Sequence, residues 1–247
     1  MRLLNGTFFS STLCAISPKI MKRIIILIFS ISLFSFINYN SDLKKEKYFE
    51  GQVTYEIEYS PYDKKFQPER IKELVGSKMI LTFKKGNYKK EYFSPNGKLL
   101  QERILNLKDK KSYLRTSDSD TIYWMDITKN DSKTSFEILN DSIILNHPCT
   151  VIKTKTIVSG DNFNGRSFEV GGLFKYAKDL PINPSWYKDY KEANFNEIAK
   201  SGKGIAIVTI NKGIYWEQKI NVKTITERKV KKRELKINLN NAPLKEL

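Results

Sequence analysis

The sequence predicts a mainly β chain: a single curved antiparallel sheet of half-barrel type with one or two short helices, and a two-sheet β-sandwich as the alternative. Three observations carry this. Apolar and polar residues alternate with period two along most of the chain, as Val53, Tyr55, Ile57 and Tyr59 do against Thr54, Glu56 and Glu58. Polar turns recur between the alternating segments. Helical signals are confined to two short stretches. Strands spaced by polar turns with little helix pack as antiparallel sheet. Alternation is the same in a half-barrel and in a sandwich, so it leaves both open.

The chain begins with a different kind of signal. Met21-Lys22-Arg23 precedes an apolar run of 14 residues, Ile24 to Ile37. A positive start followed by such a run is the pattern of a secretory signal. A bilayer-spanning helix needs roughly 18 or more, so export is expected, with an uncleaved anchor as the alternative. Residues 1–20 then read as an upstream extension, 21–40 as the signal peptide and 41–247 as one mainly-β domain. Export places the protein in the periplasm or cell envelope.

The strands follow in order. After 53–59 comes Met79, Leu81 and Phe83, interleaved with polar residues. Segments 88–93 and 99–107 flank Ser94-Pro95-Asn96-Gly97, where Pro suits the second turn position and Gly a positive φ. They read as a hairpin. Segments 112–116 and 121–127 flank the polar turn 117–120. Further strands are expected at 134–139, 149–158, 166–177, 204–212 and 214–227. Gly171-Gly172 reads as a bulge or bend. The stretch 68–76 has Pro and Glu at its start and Gly at its end, a short-helix signature. Residues 194–200 read as one or two further turns of helix, ended by Ser201-Gly202. Between them, 178–190 carries two prolines and three large aromatics, and is expected to be a loop that serves as plug or lid.

Composition narrows the chemistry. The whole chain has net charge +16. The first forty residues hold Arg2, Lys19, Lys22 and Arg23 and no acid, so 39 bases face 27 acids in the remainder, a net +12. The lysines are scattered between strands, where they solvate the surface and block edge pairing. Nucleic acid is not expected as a partner. The densest basic run, Arg228 to Arg233, reads as a solvated edge more readily than as a lipid-headgroup contact. Cys149 is the sole cysteine after residue 40, so no internal disulfide can form in an exported chain. His147 is the one histidine. A Cys149–His147 nucleophile would need the imidazole within hydrogen-bond reach and a third orienting group, and a turn histidine beside a core cysteine is the simpler account. One His and one Cys fall short of a zinc site. Asp118, Asp120 and Asp126 together could grip calcium only weakly, and a solvated turn explains the first two more simply. No catalytic residue, metal or cofactor is expected.

What remains is aromatic and aliphatic surface. A curved sheet has a concave apolar face that helix, loop or ligand must fill, and this chain has little helix. The residues expected to line a ligand groove are Tyr55, Ile57, Tyr59, Met79, Leu81, Trp124, Trp186 and Trp216. The expected function is a non-enzymatic envelope protein that binds an apolar ligand or lipid moiety. The alternative is an interaction module whose basic surface docks on a protein partner or membrane.

Several segments resemble a known class. Phe49 to Ile57 after a signal, Ile144-Leu145-Asn146-His147-Pro148-Cys149-Thr150-Val151, the late strand 216–225, the closing 235–243 and the partial echo in Asp179 to Pro184 are similar to the small exported GLPGLI-type proteins of Bacteroidetes. Such proteins resemble the lipoprotein-carrier (LolA-like) half-barrels in fold. That resemblance implies an antiparallel sheet wrapped around an apolar groove, a periplasmic location and acyl chains or other apolar molecules as ligands. It implies no catalytic residues.

Overall fold

Twelve strands form one hydrogen-bonded sheet in a computed structural model that describes residues 47–130, 132–159, 167–239 and 242–247. The upstream extension and the signal segment lie outside the described residues. Tyr48 to Leu247 make one compact unit. The strands are β1 (Gly51–Pro61), β2 (Lys78–Lys84), β3 (Asn87–Phe93), β4 (Leu99–Asn106), β5 (Lys111–Thr116), β6 (Ile122–Asp126), β7 (Lys133–Ile144), β8 (His147–Ser159), β9 (Ser167–Pro181), β10 (Gly204–Lys212), β11 (Trp216–Glu227) and β12 (Leu244–Glu246). The sandwich alternative is thereby excluded: all the strands share one ladder.

The order across the sheet is β12-β6-β5-β4-β3-β2-β1-β11-β10-β9-β8-β7. Strand β1 sits in the middle. Strands β2 to β6 meander away on one side, and β7 to β11 meander back from the far edge to the other side of β1. All pairings are antiparallel except the short β12–β6 contact. This topology forces curvature. Ten strand spacings separate β6 from β7, roughly 48 Å in a flat sheet. The seven peptide steps from Asp126 to Lys133 reach at most about 25 Å. The sheet must curl for the chain to cross from one wing to the other.

Local chemistry sets the turns. Lys84 pairs with Asn87 across Lys85 and Gly86, both at positive φ (46° and 79°), the conformation that suits a two-residue hairpin. Leu145 and Asn146 do the same between β7 and β8. The expected strand 134–139 therefore runs on to Ile144, through a register shift between Leu139 and Ser142 that absorbs the polar Asn140-Asp141. Gly171-Gly172 is not a bulge: both residues sit in a regular β8–β9 ladder. A Cβ on Gly172 would lie 2.4 Å from the ring of Phe174, so the glycine makes room for that ring. The β9–β10 pair has its register shifts elsewhere: residues 178–180 of β9 are passed over between Gly204↔Pro181 and Ile205↔Ala177, and Ile207 of β10 is passed over between Ala206↔Tyr176 and Val208↔Lys175.

Helix α1 (Pro68–Val75) starts with Pro and ends at Gly76, with φ 116°. Helix α2 (Phe195–Gly202) extends through the Ser201-Gly202 pair expected to stop it, and ends on left-handed Lys203. The loop 178–190 needs a correction as well. Residues 178–181 complete β9, pairing as far as Gly204↔Pro181. Beyond them the chain turns in and packs: Ile182, Tyr187, Tyr190, Ile198 and Ala199 are buried. A backbone bond from Lys191 N–H to the Ile127 carbonyl (2.7 Å), and a hydrogen bond from the Asn194 side-chain amide to the Thr134 carbonyl, tie this plug to the crossover and to β7. No helix among the described residues is long and apolar enough to cross a membrane.

Candidate functional site

The concave face is filled at both ends and open in the middle. At the end of β1, α1 lies over Tyr59 and Trp216, whose rings meet edge-to-face at 6.1 Å. The Tyr59 hydroxyl donates to the Gly76 carbonyl (2.9 Å) and accepts from Gln218 (3.1 Å). Burial pushes that phenol up to about 12. At the start of β1, Phe83 packs against Phe49 and against Trp186 of the plug, with ring centroids 6.0 and 6.2 Å apart. Between these ends lies a cavity of about 440 Å³, within the size range of small-molecule sites.

The register builds its walls row by row. Tyr55, Met79, Tyr92 and Gln101 stand opposite one another across β1, β2, β3 and β4. The next row is Val53, Leu81, Lys90 and Arg103. On the other wing, Ile220, Thr209 and Phe174 are in register across β11, β10 and β9. The plug closes one side with Tyr187, Phe195 and Ala199. The Tyr55 hydroxyl is buried and donates to the Ala206 carbonyl (2.9 Å), and burial pushes it well above the usual phenol range. Asn211 donates to Gln218 (3.0 Å), which makes a polar strip in a cavity whose apolar and aromatic walls also carry Lys90, Gln101, Arg103, Lys203 and Thr209.

Of the eight residues expected to line a groove, Tyr55, Met79 and Leu81 line this cavity. Ile57 and Tyr59 are on the same face of β1 but lie buried beneath α1. Trp216 borders a smaller cleft between α1 and the sheet, beside Phe66 and Ile71. Trp186 caps the start of β1. Trp124 lies in β6, next to the edge strand, with Lys111 Nζ 3.6 Å from its ring centroid. Sequence reasoning missed Tyr88, Lys90, Tyr92 and Arg103, whose alternation in β3 and β4 was available as a signal. Lys90 is partly exposed, but into the cavity. Burial and the neighbouring Arg103 push its ammonium down to about 8.

The other candidate chemistries do not assemble. The Cys149 thiol donates to the carbonyl of His147 (3.3 Å), while the His147 ring meets Asp179 Oδ2 at 2.8 Å. Imidazole and thiol therefore face different partners. Cys149 is fully buried, and burial pushes its thiol up, which disfavours the reactive thiolate. In the native protein a disulfide-exchange reagent should modify Cys149 at least about 100-fold more slowly than in urea, as read by mass mapping of the Cys149 peptide. Fast native labelling would show an accessible thiol and revive a nucleophilic role.

Asp126 accepts from the Thr128 N–H (2.8 Å) and hydroxyl (2.7 Å) in a turn. The described residues contain no cluster of three or more metal-capable groups. Glu56 is on the convex face, paired with Lys223 at 2.9 Å. The basic run 228–233 is a clasp: Arg228 pairs in a bidentate way with Glu234 (3.2 and 2.7 Å), and Val230 is buried with its N–H on Glu50 (2.6 Å). Hydrogen bonds from Arg228 and from the Lys231 backbone hold the Glu234 carboxyl down to about 2.

No protein-family model matches the chain, and no curated protein matches it. Among solved structures it is similar to LprF from Mycobacterium bovis, at 8% identity over 73% of this chain and 88% of that one, with a TM-score of 0.31. It is also similar to the lipoprotein LppX of Mycobacterium tuberculosis, at 8% identity over 81% and 97% of the two chains, with a TM-score of 0.32. A LolA-superfamily protein from Nitrosomonas europaea is a third, at 7% identity over 76% and 90%, with a TM-score of 0.34. Superpositions this loose carry no functional argument, so the reading of this chain rests on its own cavity.

Proposed function

We propose that the protein is an exported, non-enzymatic envelope protein that holds a small apolar or lipid-like ligand in the concave face of its sheet. The observation that carries this reading is the cavity of about 440 Å³ between α1 and the plug, walled by side chains from both wings of the sheet. Apolar walls such as Leu81, Phe174 and Ile220 gain by excluding water, roughly 25 cal/mol per Å² of apolar surface covered. The signal-like segment at 21–40 and the resemblance to exported families support the envelope location.

The test is native mass spectrometry of the protein purified gently from its own envelope, followed by organic extraction. A discrete extra mass that extracts as lipid is the expected result. Thr209→Trp should abolish it with little change in Tm, because the indole would occupy the cavity from a regular strand position. A clean mass, together with no uptake of a neutral apolar probe, would sink the reading.

A further inference from the structure

Lys89 and Lys90 are neighbours in β3 and point to opposite faces of the sheet. Their surroundings differ. Lys89 lies on the convex face between Glu91 and Glu102, at 2.8 Å from each carboxylate. Glu102, itself buried, also pairs with Arg115. Lys90 lies on the concave face with Leu81 on one side and Arg103 on the other, in register. Both Lys90 and Arg103 line the cavity. Among the described residues, no ion pair reaches either of them. Glu192 is the acid whose field acts on Arg103, from beyond ion-pairing distance, and no acid acts on Lys90.

Two like charges directly opposite in an antiparallel pair repel. Aromatic rings soften this only in part. Lys90 Nζ sits 5.0 Å from the ring centroid of Tyr88, a cation–π contact that leaves its hydrogen-bond donors unused. A guanidinium and an ammonium converging on one space are a receptor for an oxyanion, since the planar fork of Arg suits carboxylate or phosphate oxygens. The rest of the wall combines apolar and aromatic side chains, Leu81, Phe174 and Ile220 among them, with the polar Gln101, Lys203, Thr209, Asn211 and Gln218.

We propose that the cavity takes an amphiphile with an anionic oxyanion head, a carboxylate or a phosphate monoester, seated between Lys90 and Arg103 with its tail along Leu81, Phe174 and Ile220. This rests on the cavity being an apolar-ligand site and adds the chemistry of the head group. A neutral lipid would bury the same apolar area and leave both cations unanswered. An anionic head removes the repulsion between them.

The experiment measures binding of dodecanoate, methyl dodecanoate and acetate to the purified protein by isothermal titration calorimetry, at neutral pH and below the micelle concentration. Dodecanoate should bind at least about tenfold more tightly than its methyl ester, in line with charge-assisted hydrogen bonds. Acetate should show no detectable binding. Dodecyl phosphate binding more tightly than dodecanoate would assign the phosphate form of the head. The Lys90→Met/Arg103→Met variant should bind acid and ester alike. Equal affinity for acid and ester in the unaltered protein would overturn the head-group assignment and leave the apolar-ligand reading standing. Acetate binding as tightly as dodecanoate would replace the amphiphile with a small-anion site. No binding of any chain would overturn both readings. The comparison in the unaltered protein decides the matter even where the double variant fails to fold.

Discussion

Tyr187→Ala should lower the unfolding free energy by about 3 to 5 kcal/mol, the usual range for deleting a large buried aromatic ring. Tyr187 is 2% exposed and is the most deeply buried aromatic of the plug. Its ring meets Phe195 edge-to-face at 5.1 Å and Tyr190 at 6.4 Å, and Phe195 lies 4.6 Å from Tyr190. Removing it leaves a void continuous with the cavity, because Tyr187 is also one of the cavity walls. Trp186→Ala, one residue earlier, should cost less, since that ring is partly exposed. Urea unfolding checks this: the midpoint should fall with the slope unchanged. A loss under about 1 kcal/mol, well below what a core truncation costs, would mean the segment is a lid that lifts off and not a plug integral to the core.

The same segment shows where sequence reasoning reaches and where it stops. Period-two alternation places Tyr55, Met79 and Leu81 on one face, and that face is the concave one. The Ser94 to Gly97 turn gives the β3–β4 hairpin, with Gly97 N–H on the Ser94 carbonyl at 3.0 Å. These features are local, and local chemistry decides them. The lining of the site is not local. Trp124 and Trp216 sit in strands and have large rings, but whether a ring meets the cavity depends on where its strand lies in the sheet. Trp216 falls beneath α1 and Trp124 next to β12. Strand β12 had no signal of its own. Its three residues are all exposed, and its parallel contact with β6 depends on where the chain happens to pass. Lys90 and Arg103 were legible in principle. Alternation puts Lys90 between Tyr88 and Tyr92, and the hairpin register sets it against Arg103. The general rule that lysines solvate surfaces obscured this, and that rule holds for Lys89 but not for Lys90.

Lys90→Met should raise stability at neutral pH, by up to about 3 kcal/mol for an ammonium displaced from 10.5 to about 8. The sign follows from proton counts. Between about 8 and 10.5 the unfolded chain holds a proton on Lys90 that the folded chain has released, so stability rises with pH across that window. Below about 8 both states are protonated and the folded state bears the full penalty of the buried charge. Methionine removes the titration and keeps the volume, so the advantage of the variant is complete below pH 8 and gone above about 10.5. The groups that face Lys90 are Arg103, Tyr88 and Tyr92, and Glu192 acts on Arg103 and Tyr88. These remain in both proteins, so the tyrosines held above their ordinary range titrate alike and cancel in the difference. Urea melts of the two proteins at pH 7, 9 and 10.5 make the comparison. A difference independent of pH would show that Lys90 is not strained by burial and that the cation pair is no worse placed than an ordinary surface pair. A stabilised variant that no longer distinguishes dodecanoate from its methyl ester would tie the two facts together: the folded chain carries an unfavourable pair of charges in this cavity, and an anionic ligand is what relieves it.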